Sequence, residues 1–436
     1  MSTIEASPLV QIERDVQARA TELALDVDTA AGRDQLRALI DDAVRGWSDA
    51  HRRGQQTHAL GDPDAVAERA FRNLAGYGPL SSLLADDDVW EIMINAPDAV
   101  FAKRHSRGST YHDELFHDDE HVTRTLTKLL DDSSTAHRKL DPSEGLQDAV
   151  LDSGARLHIV HGDLSRGGHL IVNIRKFTGM AVSRLDALVD RGSISVAAAA
   201  FLAAAVRSRM SIIVAGAPGA GKTTLLGCCT AELDPSLRVV VAEEVFEADV
   251  RLPNTASMQT RPERLDRPGV DLRRLVAGFL RMAPDVAIVG EVRDREALPL
   301  LLTLSSGVTG YTTIHAGSAR QALTRLRFLA QLSDSARHLP LPALNTLVSD
   351  AIDIVVHSER GPHGPRVTAI LAVEDLVAGN DAVHFTTTEV FTRRTIGGPL
   401  EWTGLFPVRA EQRFSRSGTD LRTVLDADAT LRAEAP

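Results

Sequence analysis

The sequence predicts an α/β fold with a mostly parallel sheet in the later part of the chain, preceded by an α+β domain and a helical N-terminal region. Three observations carry this. Short, continuously apolar runs at 211–215, 239–242 and 286–289 alternate with helical segments, the pattern of strands covered on both faces. Between residues 76 and 177 shorter strand-like runs are mixed with polar turns. From about Val10 to Leu74 apolar residues recur at helical spacing among charges, as at Leu36, Leu39, Ile40, Val44 and Trp47.

Each element has its own signal. Gly61-Asp62-Pro63-Asp64 is a break followed by a helix start. The pattern changes at Gly76-Tyr77-Gly78-Pro79-Leu80, after which 89–95, 100–103, 157–160 and 170–175 read as strands. Residues 177–195, with Gly179 and Gly192, read as the link to the next domain. The Ala-rich run Val196 to Val206 predicts a buried helix; a bilayer crossing needs about 20 residues. Asp271 predicts a helix cap, with Leu272, Leu275, Val276, Phe279 and Leu280 on one face and Pro284 as the stop. The domains are thus expected at 1–75, 76–180 and 181–410, with a polar tail at 411–436 that frays.

Composition narrows the function. A chain of 436 residues holds two or three domains, and 43% hydrophobic residues suffice for ordinary cores. The net charge of −11 argues against wholesale binding to nucleic acid, and 4% aromatics against large base-stacking surfaces. The 2 cysteines, Cys228 and Cys229, are adjacent, which excludes a disulfide framework or a four-cysteine zinc site and fits a reducing compartment. The opening residues are polar and acidic rather than signal-like, so a cytoplasmic protein is expected.

The chemistry begins at Gly216-Ala217-Pro218-Gly219-Ala220-Gly221-Lys222-Thr223, continued by Thr224. A strand precedes this segment and a helix follows it, the context that a phosphate-binding P-loop requires. Gly216, Gly219 and Gly221 let the backbone approach phosphates, and the helix N-terminus offers N–H donors and the positive end of its dipole. Lys222 places a charge at the β/γ-phosphates, and Thr223 offers a hydroxyl to Mg²⁺. The expected ligands are therefore ATP and Mg²⁺.

Hydrolysis also needs carboxylates, and two clusters follow apolar strands: Glu243-Glu244-Val245-Phe246-Glu247 and Gly290-Glu291-Val292-Arg293. In a parallel sheet such positions lie at the carboxyl ends, where ligands bind. Three carboxylates within five residues also invite a compensating cation. A glycine-rich turn and short strand then lead to His315.

Together these motifs resemble those of the secretion-superfamily ATPases that power type II secretion, type IV pili and type IV secretion. Residues 243–247 fall where that family carries its Asp box, with Glu244 in place of the usual aspartate. Residues 282–293 resemble its atypical Walker B, and Thr312-Thr313-Ile314-His315-Ala316 its His box. Tyr77-Gly78-Pro79-Leu80, Gly154-Ala155-Arg156-Leu157 and Ile174-Arg175-Lys176-Phe177 resemble segments of its N-terminal domain. Gln259-Thr260-Arg261-Pro262 and the absence of zinc-binding cysteines point to the CpaF-like branch, which serves tight-adherence (Flp-type) pili.

The resemblance implies a RecA-like P-loop ATPase domain after a PAS-like α+β domain, with Mg²⁺-ATP at the seam between them. It implies that Glu247 activates or positions water, that Glu291 acts on the metal beside Thr223, and that His315 belongs to the catalytic set. Arg156 and Arg175 would act as arginine fingers, with Arg261 a further candidate. It also implies a homo-oligomer, expected as a hexamer, peripheral at the cytoplasmic face of the inner membrane through a platform protein. A type IV secretion ATPase, a non-hydrolysing nucleotide-binding scaffold and a nucleic-acid translocase are the alternatives; Glu247, Glu291 and His315 speak against the scaffold.

Overall fold

The computed structural model describes residues 7–425 apart from 106, 134–138, 177–181, 262, 264–267, 337, 362–363, 376–383 and 396. The chain divides into two units, Met1–Thr178 and Gly179–Pro436.

The first unit opens with three helices: α1 (Pro8–Glu22), α2 (Ala30–Arg52) and α3 (Pro63–Ala75). Asp62 caps α3 through the backbone N–H groups of Asp64 and Ala65, with Pro63 at the first position. Ile12, Val16, Leu36, Ile40, Val44 and Trp47 form their common core. Then follow α4 (Leu80–Ala85), β1 (Val89–Ala96), β2 (Ala99–Arg104), β3 (Ser109–Tyr111), α5 (Asp119–Asp131), β4 (Leu146–Val150), β5 (Arg156–Val160) and β6 (Ile171–Arg175). The strands form a sheet in the order β3-β2-β1-β6-β5-β4, and every neighbouring pair is antiparallel. Alternation puts Ile92, Ile94, Leu157, Ile159, Val172 and Ile174 into a core with Val122 and Leu126 of α5. The residues between them in sequence take the other face.

The second unit starts with α6 (Leu185–Asp190) and α7 (Val196–Arg207), within the span expected as linker and buried helix. Helix α7 is buried on nearly every side, as its Ala-rich sequence requires. The wound sheet follows: β7 (Ile212–Gly216), α8 (Lys222–Thr230), β8 (Val239–Glu243), β9 (Thr255–Gln259), α9 (Leu272–Ala277), β10 (Val286–Val292), α10 (Ala297–Ser305), β11 (Thr309–Ile314), α11 (Ala319–Gln331) and α12 (Leu341–Ala351). Strands β12 (Ile354–Gly361), β13 (Gly364–Val373), β14 (Thr387–Thr392) and β15 (Glu401–Trp402) extend it, and α13 (Val408–Arg416) and α14 (Leu421–Leu425) close the unit. The order is β15-β14-β13-β12-β7-β11-β10-β8-β9, parallel from β12 to β9 and antiparallel from β12 to β15.

Two cores sandwich this sheet. One joins Ile212, Val214, Val241 and Ile288 to α7, α8, α13 and α14. The other joins Ile213, Val240, Ala287 and Val289 to the helices α9 to α12. Burial of alternate residues on both faces is why the parallel strands read as unbroken apolar runs. Among the described residues no helix is long and apolar enough to cross a membrane.

Two expectations are corrected. The segment after Ala410 does not fray throughout: α13 and α14 pack onto α7, with Phe414 fully buried against Phe201 and with Leu421 and Leu425 buried. The apolar residues there are few but spaced to fall on one helical face, and that stripe outweighs the charged composition. Residues 426–436 lie outside the described part. The helix capped by Asp271 stops at Ala277 and continues only as a 3₁₀ turn, Phe279–Met282. Gly278 weakens the helix there, and Ala283 adopts the left-handed region before Pro284, so Phe279 is buried while Leu280 is 54% exposed.

Candidate active site

Strand β7 ends at Gly216, and the chain turns through Ala217, Pro218, Gly219 and Ala220 before α8 begins at Lys222. Gly221 caps that helix in the left-handed region (φ 78°), which a side chain would oppose. The turn aims the first N–H groups of α8, including those at Thr223 and Thr224, out of the helix end. Ala217 and Pro218 sit on the exposed outer side of the loop. Lys222 is buried. Its ammonium donates to the Ala217 carbonyl at 3.1 Å and lies 3.2 Å from His315 Nδ1.

The parallel sheet delivers the remaining groups to the same end. Glu243 terminates β8, Glu291 lies at the end of β10, and His315 follows β11 directly. Strand order places β7, β11, β10 and β8 side by side, so their carboxyl ends form one edge of the site.

These residues form a relay of alternating charge. His315 Nε2 is 2.8 Å from Glu291 Oε1. The other Glu291 oxygen accepts from Arg293 Nη2 at 2.8 Å, and Arg293 Nη1 donates to Glu244 Oε2 at 2.8 Å. The extra methylene of Glu244, relative to aspartate, lengthens its reach toward this contact. Burial pushes the Glu291 carboxyl up, but the close His315 ring and the Arg293 guanidinium outweigh it, and the pKa falls to about 2. Glu291 is therefore an anion near neutral pH. His315 Nδ1 also lies 3.2 Å from the Gly216 carbonyl, accepting from the Lys222 ammonium in one tautomer and donating to that carbonyl in the other. His315 thus touches both the loop and the carboxylate.

Glu247 meets the P-loop at Thr223. The Thr223 hydroxyl donates to Glu247 Oε2 at 3.4 Å. Buried Glu243 holds that segment: its Oε1 accepts from the backbone N–H groups of Glu247 at 3.0 Å and Ala248 at 2.9 Å. The three acidic residues of this segment thus have different surroundings. Glu243 staples backbone, Glu244 meets Arg293, and Glu247 faces the P-loop threonine. The sequence reading did not single out Glu243 or Arg293. A carboxylate on a strand's last inward position, and a cation two residues beyond Glu291, are the signals that could have found them.

Arg156 and Arg175 belong to the first unit. They are direct cross-strand partners on β5 and β6, and Arg175 also lies opposite Glu91 of β1, whose partner on β2 is Lys103. The sheet face away from the core therefore carries a row Lys103–Glu91–Arg175–Arg156. Arg261 turns back on its own loop, pairing with Val270 and donating to the Pro268 carbonyl at 3.1 Å. Cys228 and Cys229 are buried in α8; burial raises the Cys228 thiol to about 12 and Cys229 higher still.

The family of type II/IV secretion system proteins matches residues 73–358, well over half of the chain. The chain belongs to this family. The match and the P-loop constellation make it an ATPase of the type II/IV secretion family. Rv3659c of Mycobacterium tuberculosis, a protein named for conjugal transfer, is 32% identical over 324 residues, spanning 72% of this chain and 89% of its own. The type IV secretion system protein PtlH of Bordetella pertussis is 31% identical over 325 residues, spanning 68% and 92%. Among solved structures, the ATPase DotB of Yersinia pseudotuberculosis is similar with 15% identity and a TM-score of 0.48, covering 83% of this chain and 86% of that one.

Proposed function

We propose that this secretion-family ATPase is a motor that couples ATP hydrolysis to pilus assembly or secretion across the bacterial envelope. The observation that supports it most is the convergence on one P-loop of Thr223 with Glu247 and of Lys222 with His315 and Glu291. Lys222 binds and orients the β/γ-phosphates. Glu247 positions the attacking water and accepts its proton. His315 carries the state of the P-loop to Glu291. Arg156 and Arg175 supply positive charge for the phosphoryl group as it transfers.

The residues fit a magnesium ion carried in with the nucleotide. The Thr223 hydroxyl and the Glu247 carboxylate converge at 3.4 Å, and among the described residues no group of three or more His, Cys, Asp or Glu forms a metal site of its own. Thr223, and Glu291 through water, would hold the ion, and its charge would neutralise the phosphates.

The tight-adherence branch remains our reading of the machine served, supported by Gln259-Thr260-Arg261 and the cysteine pattern; Pro262 lies outside the described residues. The names of the conjugal-transfer and type IV secretion relatives favour the second reading, a type IV secretion motor. In either case we propose a homo-hexamer, cytoplasmic and held at the inner membrane by a platform protein, with the division 1–75, 76–180 and 181–410 retained and α13–α14 joined to the last domain.

The test is steady-state ATP hydrolysis by the purified chain, with and without the membrane platform protein encoded beside it. Turnover that rises with the platform protein and vanishes in Lys222→Ala supports the motor. Undiminished turnover in Lys222→Ala sinks it. Stimulation by pilus platform but not by conjugation components decides between the two machines.

A further inference from the structure

We infer that the β12–β13 hairpin is a positioning clasp for the P-loop, with Ser358 as its principal residue and Arg360 as its support. Arg360 lies beyond the family match, which ends at 358. Four contacts join the hairpin to the loop. Ser358 pairs in register with Gly216, so closely that a Cβ on Gly216 would run into the Ser358 carbonyl. The buried Ser358 hydroxyl donates to the Ala220 carbonyl at 2.6 Å, with the Arg366 carbonyl a longer alternative at 3.2 Å. Arg360 Nη1 donates to the Gly219 carbonyl at 3.3 Å. A Cβ on Gly221 would stand 2.7 Å from Pro365 Cβ.

The geometry assigns each contact a task. A trans peptide is planar, with C=O and N–H pointing opposite ways. Holding the Ala220 carbonyl from the hairpin side turns the Gly221 N–H toward the phosphate side. The Ala220 N–H is already spent within the loop, on the Ala217 carbonyl at 3.2 Å. Arg360 therefore supports that turn rather than aiming a donor. Gly216 and Gly221 are small for the hairpin's approach as well as for the phosphates. Preorganised donors bind an anion without the cost of ordering the loop at that moment. Ser358 and Arg360 are thus positioning residues whose loss weakens nucleotide binding more than turnover.

This inference rests on the P-loop being the nucleotide site, so the experiment separates the two. Full-length wild type, Lys222→Ala, Ser358→Ala and Arg360→Ala are compared for ADP affinity by calorimetry, for KM and kcat with ATP, and for melting temperature without nucleotide. Ser358→Ala should raise the ADP Kd and the ATP KM about fivefold, with kcat within about twofold of wild type. Arg360→Ala, at an exposed position, should raise both about threefold, and Arg360→Lys should recover part of the loss. A lower kcat and melting temperature with unchanged KM would mean a structural role only and would overturn the clasp. Should Ser358→Ala fail to fold, Arg360→Ala decides: Kd and KM at wild-type values overturn the inference. Wild-type ADP affinity in Lys222→Ala would instead refute the nucleotide site itself.

Discussion

Two regions of this ATPase carry the charges expected of phosphoryl transfer, and they handle them oppositely. At the carboxyl ends of β8 and β10 opposite charges alternate: Glu291 lies between His315 and Arg293, and Arg293 between Glu291 and Glu244. On the open face of the N-terminal sheet, Arg156 and Arg175 stand directly opposite one another on neighbouring strands. Like charges in that register destabilise a sheet. The contrast teaches that the strand ends of the wound sheet alternate opposite charges, while the N-terminal sheet sets two cations side by side in one row with Glu91 and Lys103.

Replacing Arg156 or Arg175 with alanine tests this contrast most severely. If the pair meets the transferring phosphoryl group, either variant should lose about 10³-fold in kcat, the lower range for arginine fingers. Turnover within tenfold of wild type in both variants would reduce the row to surface charge.

Glu247→Gln probes the strand-end side. It keeps the hydrogen-bonding shape beside Thr223 but removes the base, so kcat should fall about 10²-fold while nucleotide affinity stays within about twofold. A fall in affinity with intact kcat would move Glu247 from water to metal. Glu243→Gln is the control. Its amide oxygen can still accept from the Glu247 and Ala248 N–H groups, so its turnover should exceed that of Glu247→Gln by about tenfold.

Sequence and structure agree where the physics is local and repetitive. The strand before the P-loop, the capped helices and the buried run 196–206 were legible because periodicity and capping act over a few residues. The strand-end positions of Glu243, Glu291 and His315 were legible from the parallel pattern. The division of labour among Glu243, Glu244 and Glu247 was not, since it depends on whether each side chain meets backbone, Arg293 or Thr223 across the sheet. Nor were Ser358 and Arg360, which reach the loop from 138 and 141 positions away in sequence. The last helices were misread because composition was weighed above phase. Phe414→Ala should cost about 3–5 kcal/mol in unfolding free energy, as for a buried phenylalanine, and a change under about 1 kcal/mol would restore the frayed tail.

The smallest expected effect concerns the electrostatics of the strand-end side. Glu291 titrates at about 2 in the folded protein against an ordinary value of 4.5. A carboxyl depressed in this way stabilises the fold fully above about pH 4.5, and the contribution fades as pH falls toward 2. The full shift corresponds to about 3 kcal/mol, an upper figure for a side chain that is 20% exposed. Glu291→Gln has no such titration. Urea unfolding of both proteins should therefore give a stability difference of about 2 kcal/mol near neutral pH that shrinks steadily below pH 4.5. Arg156→Ala, which removes no carboxylate, should track wild type through the same interval. If the Glu291→Gln difference stays constant with pH, the carboxylate is not held ionised by His315 and Arg293, and the relay from Lys222 ends at the histidine.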